Sequence, residues 1–186
     1  MKKINFVKYN KTRREAFQLR TGIIEEDGRR FVEKTALGDQ AISHIKSLED
    51  KYKNLTAQNQ ALKVAGVTVS PDGKSARFEF LKGETLSEIL GREITAGKVP
   101  VFRMEECLSL IMGVKEDFIT PFVMTPEFEA VFGNLEGAPE AVKKDWTFAV
   151  SNIDCLFENI MLTADGPYCL DYEWVFSFPV PVTFIK

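Results

Sequence analysis

The first third of the chain carries short apolar runs broken by turn residues, the pattern of strands. INFVKY (4–9) is rich in apolar and β-prone residues. AFQLRTGII (16–24) alternates Phe17, Leu19 and Thr21. The turn EEDG (25–28) then leads into RRFVEKTAL (29–37), and an Asp-Gly between two such runs predicts a hairpin. The period changes in GDQAISHIKSLEDKYKNL (38–55). Asp39 is a plausible N-cap, and Ile42, Ile45, Glu49 and Tyr52 share one helix face that Leu48 and Leu55 widen. A second hairpin follows: VAGVTV, the turn SPDGKS, then ARFEFL. After it, Thr85 and Glu88 form a capping-box pattern at the head of a helix.

From Gly91 to Trp146 helices with intervening loops are favoured. MEECLSLIMGV and TPEFEAVFG give the stronger patterns and GAPEAVKKDW a weaker one. The last part returns to strands around SNIDCLFENIMLTADGPYCLDYEWVF (151–176), where Asp165-Gly166 reads as a turn. The expected class is α+β, in two lobes: a β-rich first lobe over 1–82, with five strands and a helix near 38–54, and a second over 83–186.

Composition narrows the function classes. The net charge is −3 and the pI about 5.4, so no nucleic-acid-binding surface is indicated for the chain as a whole. No apolar run is long enough for a membrane span, and the first residues lack the apolar stretch of a signal peptide, which points to the cytoplasm. The three cysteines, Cys107, Cys155 and Cys169, form no CxxC pair and read as reduced thiols. The single histidine, His44, reads as a surface or edge residue of the helix and excludes a multi-histidine metal site. The 15 phenylalanines read as core.

Phosphoryl transfer from a nucleotide needs hard oxygen ligands for Mg²⁺, a carboxylate for the attacking hydroxyl, and a lysine for the phosphates held by a helix acid. The chain offers each. Lys34 lies on the third predicted strand, on one face with Val32 and Ala36 and opposite Phe31 and Glu33. Glu49 lies on a core-facing helix stripe and needs a partner, for which Lys34 is the candidate. Asp154, Asn159 and Asp171 follow in the last segment. Taken singly, Lys34 reads as a solvated strand residue, and Glu49 as a surface acid pairing with Lys46 or Lys53.

NIDCLFENIML resembles the catalytic loop of the protein-kinase-like superfamily, D-x-x-x-x-N before an apolar strand. CLDYEWVF is similar to the metal-binding segment of aminoglycoside phosphotransferases and choline kinases, which carry D-[aromatic]-E there. The resemblance implies a bilobal kinase-like fold, with catalytic loop 151–160 and metal-binding segment 168–176. It implies ATP and Mg²⁺ as cofactors and a hydroxyl acceptor. It makes Asp154 the catalytic base, Asn159 and Asp171 magnesium ligands, and Glu173 a further ligand or a structural acid. Lys34 and Glu49 become the phosphate-orienting ion pair, and Glu79, Phe80 and Leu81 flank the adenine.

KYNKTRREAFQLRT, GRRFVEKTAL, TPEFEAVFG and SNIDCLFENIM also resemble a narrower group. These are kinase-like modules of large bacterial polypeptides that carry glycosyltransferase or methyltransferase domains for surface-polysaccharide synthesis. That likeness, the apolar PVPVTFIK end and the short helical second lobe together suggest a native chain continuing past Lys186 into covalently linked domains. Two features depart from the superfamily pattern. YNKTRREAF, with Lys11, Arg13 and Arg14, stands where a glycine-rich phosphate loop is expected; its cations form either a solvated face or a phosphate contact. Asn152 stands where a histidine usually precedes the catalytic Asp. An inactive nucleotide-binding or scaffold module is therefore the alternative to an enzyme.

Overall fold

The computed structural model describes residues 2–185, a mixed α+β chain whose contacts separate into two units. The first unit holds the residues up to Lys53 together with Ala65–Lys82; the second holds Asn54–Val64 and Gly83–Lys186. The segment 54–64, expected in the first lobe, therefore packs with the second unit.

In the first unit, β1 (Lys2–Tyr9), β2 (Leu19–Glu26) and β3 (Arg29–Ala36) form antiparallel hairpin neighbours. The β2–β3 turn is Asp27-Gly28 with φ of 52° and 76°, the doubly left-handed geometry that suits the twist of a two-residue hairpin. Two helices follow, α1 (Ile42–Lys46) and α2 (Leu48–Gln58), the latter counted with the second unit from Asn54 on. After β4 (Lys63–Val64), which belongs to the second unit, β5 (Val67–Val69) and β6 (Ser75–Glu79) complete a five-stranded sheet of order β1-β2-β3-β6-β5.

Three local expectations change. Asp39 is not an N-cap: Gly38 holds that position, and Asp39 starts a 3₁₀ turn to Ala41. The helix is broken at Ser47, whose hydroxyl donates back to the His44 carbonyl at 2.8 Å. His44 is buried, set edge-on against the Phe17 ring at 5.1 Å and 87°. The buried helix stripe is Ala41, His44, Ile45, Leu48 and Leu55, with Glu49 at its margin.

The second unit opens with β7 (Gly83–Thr85) and α3 (Leu86–Thr95), joined by the capping box. Glu88 N donates to Thr85 Oγ1 at 3.2 Å, and Thr85 N to Glu88 Oε2 at 2.8 Å. Helix α4 (Val101–Met112), β8 (Ile119–Pro121), α5 (Pro126–Phe132), α6 (Glu140–Lys143) and β9 (Trp146–Phe148) follow. The end of the chain is β10 (Ser151–Asn152), β11 (Ile160–Thr163), β12 (Gly166–Cys169) and β13 (Val175–Phe176). A four-stranded sheet runs β4-β12-β11-β7. Gly83 is needed in it, because a Cβ there would lie 2.1 Å from the Leu162 carbonyl oxygen.

Several phenylalanines form the core of this unit, but not all 15 are core as expected: Phe102 and Phe184 here, and Phe6 of β1, are exposed. Phe128 is fully buried, with Phe122, Phe132 and Phe184 rings 5.1–5.7 Å away, and Phe132 reaches Phe176 at 5.4 Å. Val114, Phe148 and Val182 make a second cluster. Gln58 imitates a strand neighbour: its amide donates to Val150 O at 2.7 Å and accepts from Val150 N at 3.0 Å. No helix among the described residues is long and apolar enough to cross a membrane.

Candidate functional site

The candidate residues divide between the units. Asp154, Asn159, Asp171 and Glu173 belong to the second, where strand pairing fixes their backbones. Short strand β10 pairs antiparallel with β13 (Asn152 opposite Val175), and Ile153 N donates to Trp174 O at 3.1 Å. The hairpin β11–β12 sets Ile160 opposite Cys169, and Leu170 N donates to Asn159 O at 2.8 Å. Asp171 is thus one residue beyond the cross-strand partner of Asn159. The loop 151–160 and the segment 168–176 are joined along both of their shared edges.

Asn152 completes the junction with its side chain. Its Oδ1 accepts from Asp154 N at 3.1 Å. Its Nδ2 points at the other segment, 3.4 Å from Asp171 O and 3.4 Å from Cys169 Sγ. One buried amide therefore holds the backbone of both Asp154 and Asp171. The sequence marked this position only as a departure from a pattern. Its signal was that an amide, unlike an apolar residue, supplies a donor and an acceptor at once.

Asn159 ends a 3₁₀ turn (Phe157–Asn159), and its Nδ2 donates to Asp154 O at 2.8 Å. With the nitrogen committed to that carbonyl, the oxygen is the end presented away from it. Asp171 Oδ1 accepts from Glu173 N at 3.2 Å, an Asx turn that sets the carboxylate orientation. Glu173 is buried. The expected magnesium set of Asn159, Asp171 and Glu173 is an amide and two carboxylates, hard oxygens that suit that ion. Among the described residues, no three His, Cys, Asp or Glu side chains gather as a metal-holding group.

Cys155 and Cys169, each beside a site residue, are buried free thiols. The Cys169 thiol is pushed well above its ordinary range by its hydrogen bond with Cys155 and then by burial. Both line a partly open space of about 20 Å³ with Asn152, Gln58 and Leu62. That is room for one water molecule.

In the first unit Lys34 is buried on β3, its Nζ 5.5 Å from the centre of the Phe78 ring. Register sets Lys34 opposite Ala76, and Ala76 opposite Val69, in one row across three strands. Glu49 Oε1 accepts from Val69 N at 2.9 Å. Because Ser70 N bonds inward to Ser75 O, the Val69 N–H faces the open sheet edge, so Glu49 caps that edge. This use of Glu49 went unforeseen. Glu79 closes the far end of the same ladder, accepting from Gly66 N at 2.8 Å. The strand stops at Glu79, so Leu81 lies beyond it.

Glu33, on the other sheet face, is a buried acid to which the sequence assigned no role. Lys2 Nζ (3.2 Å), Arg20 (2.9 Å) and Arg77 (3.3 Å) all surround its carboxylate. The loop between β1 and β2 is braced from within. Gln18 Nε2 donates to Lys11 O at 3.1 Å and to Arg13 O at 2.8 Å, and Phe17 N donates to Arg14 O at 2.8 Å. No residue of this loop has positive φ.

No protein-family model matches the chain, and no curated protein matches it.

Proposed function

We propose that the chain is a protein-kinase-like phosphotransferase module that uses ATP and Mg²⁺ to phosphorylate a hydroxyl of a small molecule or glycan. The bacterial surface-polysaccharide setting in the cytoplasm is part of this reading. The observation that carries it is the Asn152-centred junction, which binds the backbones of Asp154 and Asp171 into one frame with Asn159. Such a frame is what an in-line transfer requires, because positioning and electrostatics supply most of the acceleration.

In this reading Asp154 orients the acceptor hydroxyl and takes its proton. Asn159 and Asp171 hold Mg²⁺, with Glu173 a further ligand or a support for Asp171. The ion, when bound, neutralises phosphate charge. Lys34 meets the phosphate oxygens, Glu49 orients it, and the backbone near Glu79 and Leu81 receives the adenine.

Thermal unfolding with ATP tests the proposal. At saturation near 100 times Kd, binding adds about 2.7 kcal/mol. For a chain of this size that raises Tm by roughly 5–10 °C. The rise should require Mg²⁺ and vanish in Asp171→Asn. An absent shift under all conditions would defeat the reading. The β1–β2 loop favours a second reading, nucleotide binding without turnover. It lacks the glycines that let backbone N–H groups approach phosphate oxygens closely. A magnesium-dependent shift with no ADP release at any acceptor would select it.

A further inference from the structure

We infer that the outer edge of β1 is a docking site for an extended segment of another protein in which acidic and apolar residues alternate. Strand β1 is an edge strand of eight residues, exposed along its whole length. Its inner edge bonds to β2. Asn10 N donates inward to Leu19 O, so alternation turns the N–H groups of Val7 and Tyr9 outward. No described residue pairs with that outer edge.

Register separates the side chains into two faces. Lys3, Phe6 and Lys8 stand opposite Glu25, Ile23 and Thr21, on one face. Ile4, Val7 and Tyr9 stand opposite Ile24, Gly22 and Arg20, on the other. A bulge between Ile4 and Phe6 keeps this division despite the sequence spacing. Ile4, Val7 and Tyr9 are 53%, 43% and 54% exposed. One face therefore offers two lysines about a phenylalanine; the other offers Ile4, Val7 and Tyr9, with Lys2 at its end drawn to Glu33. Lys11, just past the strand, lies 5.7 Å from the Tyr9 ring centre and closes the Ile4/Val7/Tyr9 face at that end.

A strand added to this edge gains main-chain hydrogen bonds, and its own period of two places alternate residues on opposite faces. Acids on one side and apolar residues on the other match β1. A second copy meets like charges when the two strands pair about their centres. Antiparallel self-pairing centred on 5 and 6 sets Lys3 opposite Lys8 twice, and like charges directly opposite repel. The lysines thus disfavour that self-pairing and leave the edge open to an acidic strand.

The test uses the whole chain and a fluorescent peptide of eight residues alternating Glu and Val, with a Lys/Val peptide as control. Anisotropy should show binding of the acidic peptide alone, weakened about tenfold by 0.5 M salt. Hydrogen exchange should slow at Val7 and Tyr9. Val7→Pro removes one outward N–H without touching a ladder bond and should abolish binding at near-parental Tm. The double change Lys3→Glu, Lys8→Glu should invert the peptide preference. Equal binding of both peptides would overturn the inference. So would no binding, unchanged binding by both variants, or self-association that Val7→Pro abolishes.

Discussion

Asn152→Ala tests whether one amide holds the two candidate segments together. The truncation leaves Asp154 N without its 3.1 Å acceptor, a part-buried N–H whose lost bond costs about 1 kcal/mol. The two 3.4 Å contacts to Cys169 and Asp171 are long and share one nitrogen, together about another 1 kcal/mol. Asn152 also lines the space of about 20 Å³, and removing its amide enlarges that space by roughly 30 Å³, about 0.7 kcal/mol. The sum is roughly 2–3 kcal/mol, or about 4–12 °C in Tm. Both tryptophans, Trp146 and Trp174, lie in the second unit, so their fluorescence reports its unfolding directly. Asn152→Asp should fall further, because it turns a carboxylate oxygen toward the Asp171 carbonyl and a buried sulfur. A Tm within about 2 °C of the parent for Asn152→Ala, or an Asp variant more stable than the Ala variant, would refute the reasoning.

Two further outcomes are expected. Glu33→Ala leaves Lys2, Arg20 and Arg77 facing one another over a buried gap; with those cations partly exposed, the loss is about 1–3 kcal/mol in urea unfolding, reduced by salt that screens the repulsion. The folded Cys169 thiol holds its proton above the ordinary value of 9.0, whereas the unfolded chain releases it there. Stability should therefore be level below that value and decline as pH rises past it. Cys169→Ala should flatten the decline, and a stability that increases with pH in that window would contradict the buried-thiol picture.

Local chemistry was the legible part of the fold. The Asp27-Gly28 hairpin and the Thr85/Glu88 capping box depend on neighbours within a few positions, and both form with the expected bonds. What depends on distant residues was hidden. The helix pattern placed Glu49 on the core face but could not reveal Val69 N as its partner, because that bond depends on which strand lies at the sheet edge. His44 looked like a surface residue because nothing near it in sequence announced Phe17. Within the candidate site, the spacing of Asp154, Asn159 and Asp171 suggested a common task. Asn152, which ties two of them, looked like a defect because its partners lie up to 19 positions away.

The division of contacts bears on how the chain can be cut and how it folds. The polypeptide passes between the units after Lys53, after Val64 and after Lys82, so each is built from two separate stretches. A fragment starting at Gly83 would lack β4, the parallel neighbour of β12, and the Gln58 amide that satisfies Val150. A fragment ending at Lys53 would lose β5 and β6, and with them the Val69 amide that Glu49 caps. The points where the chain passes between the units are therefore not places where the gene can be divided. Closing Gln58 onto Val150 joins residues 92 positions apart, so the frame of the second unit cannot form before the chain has been made past Val150.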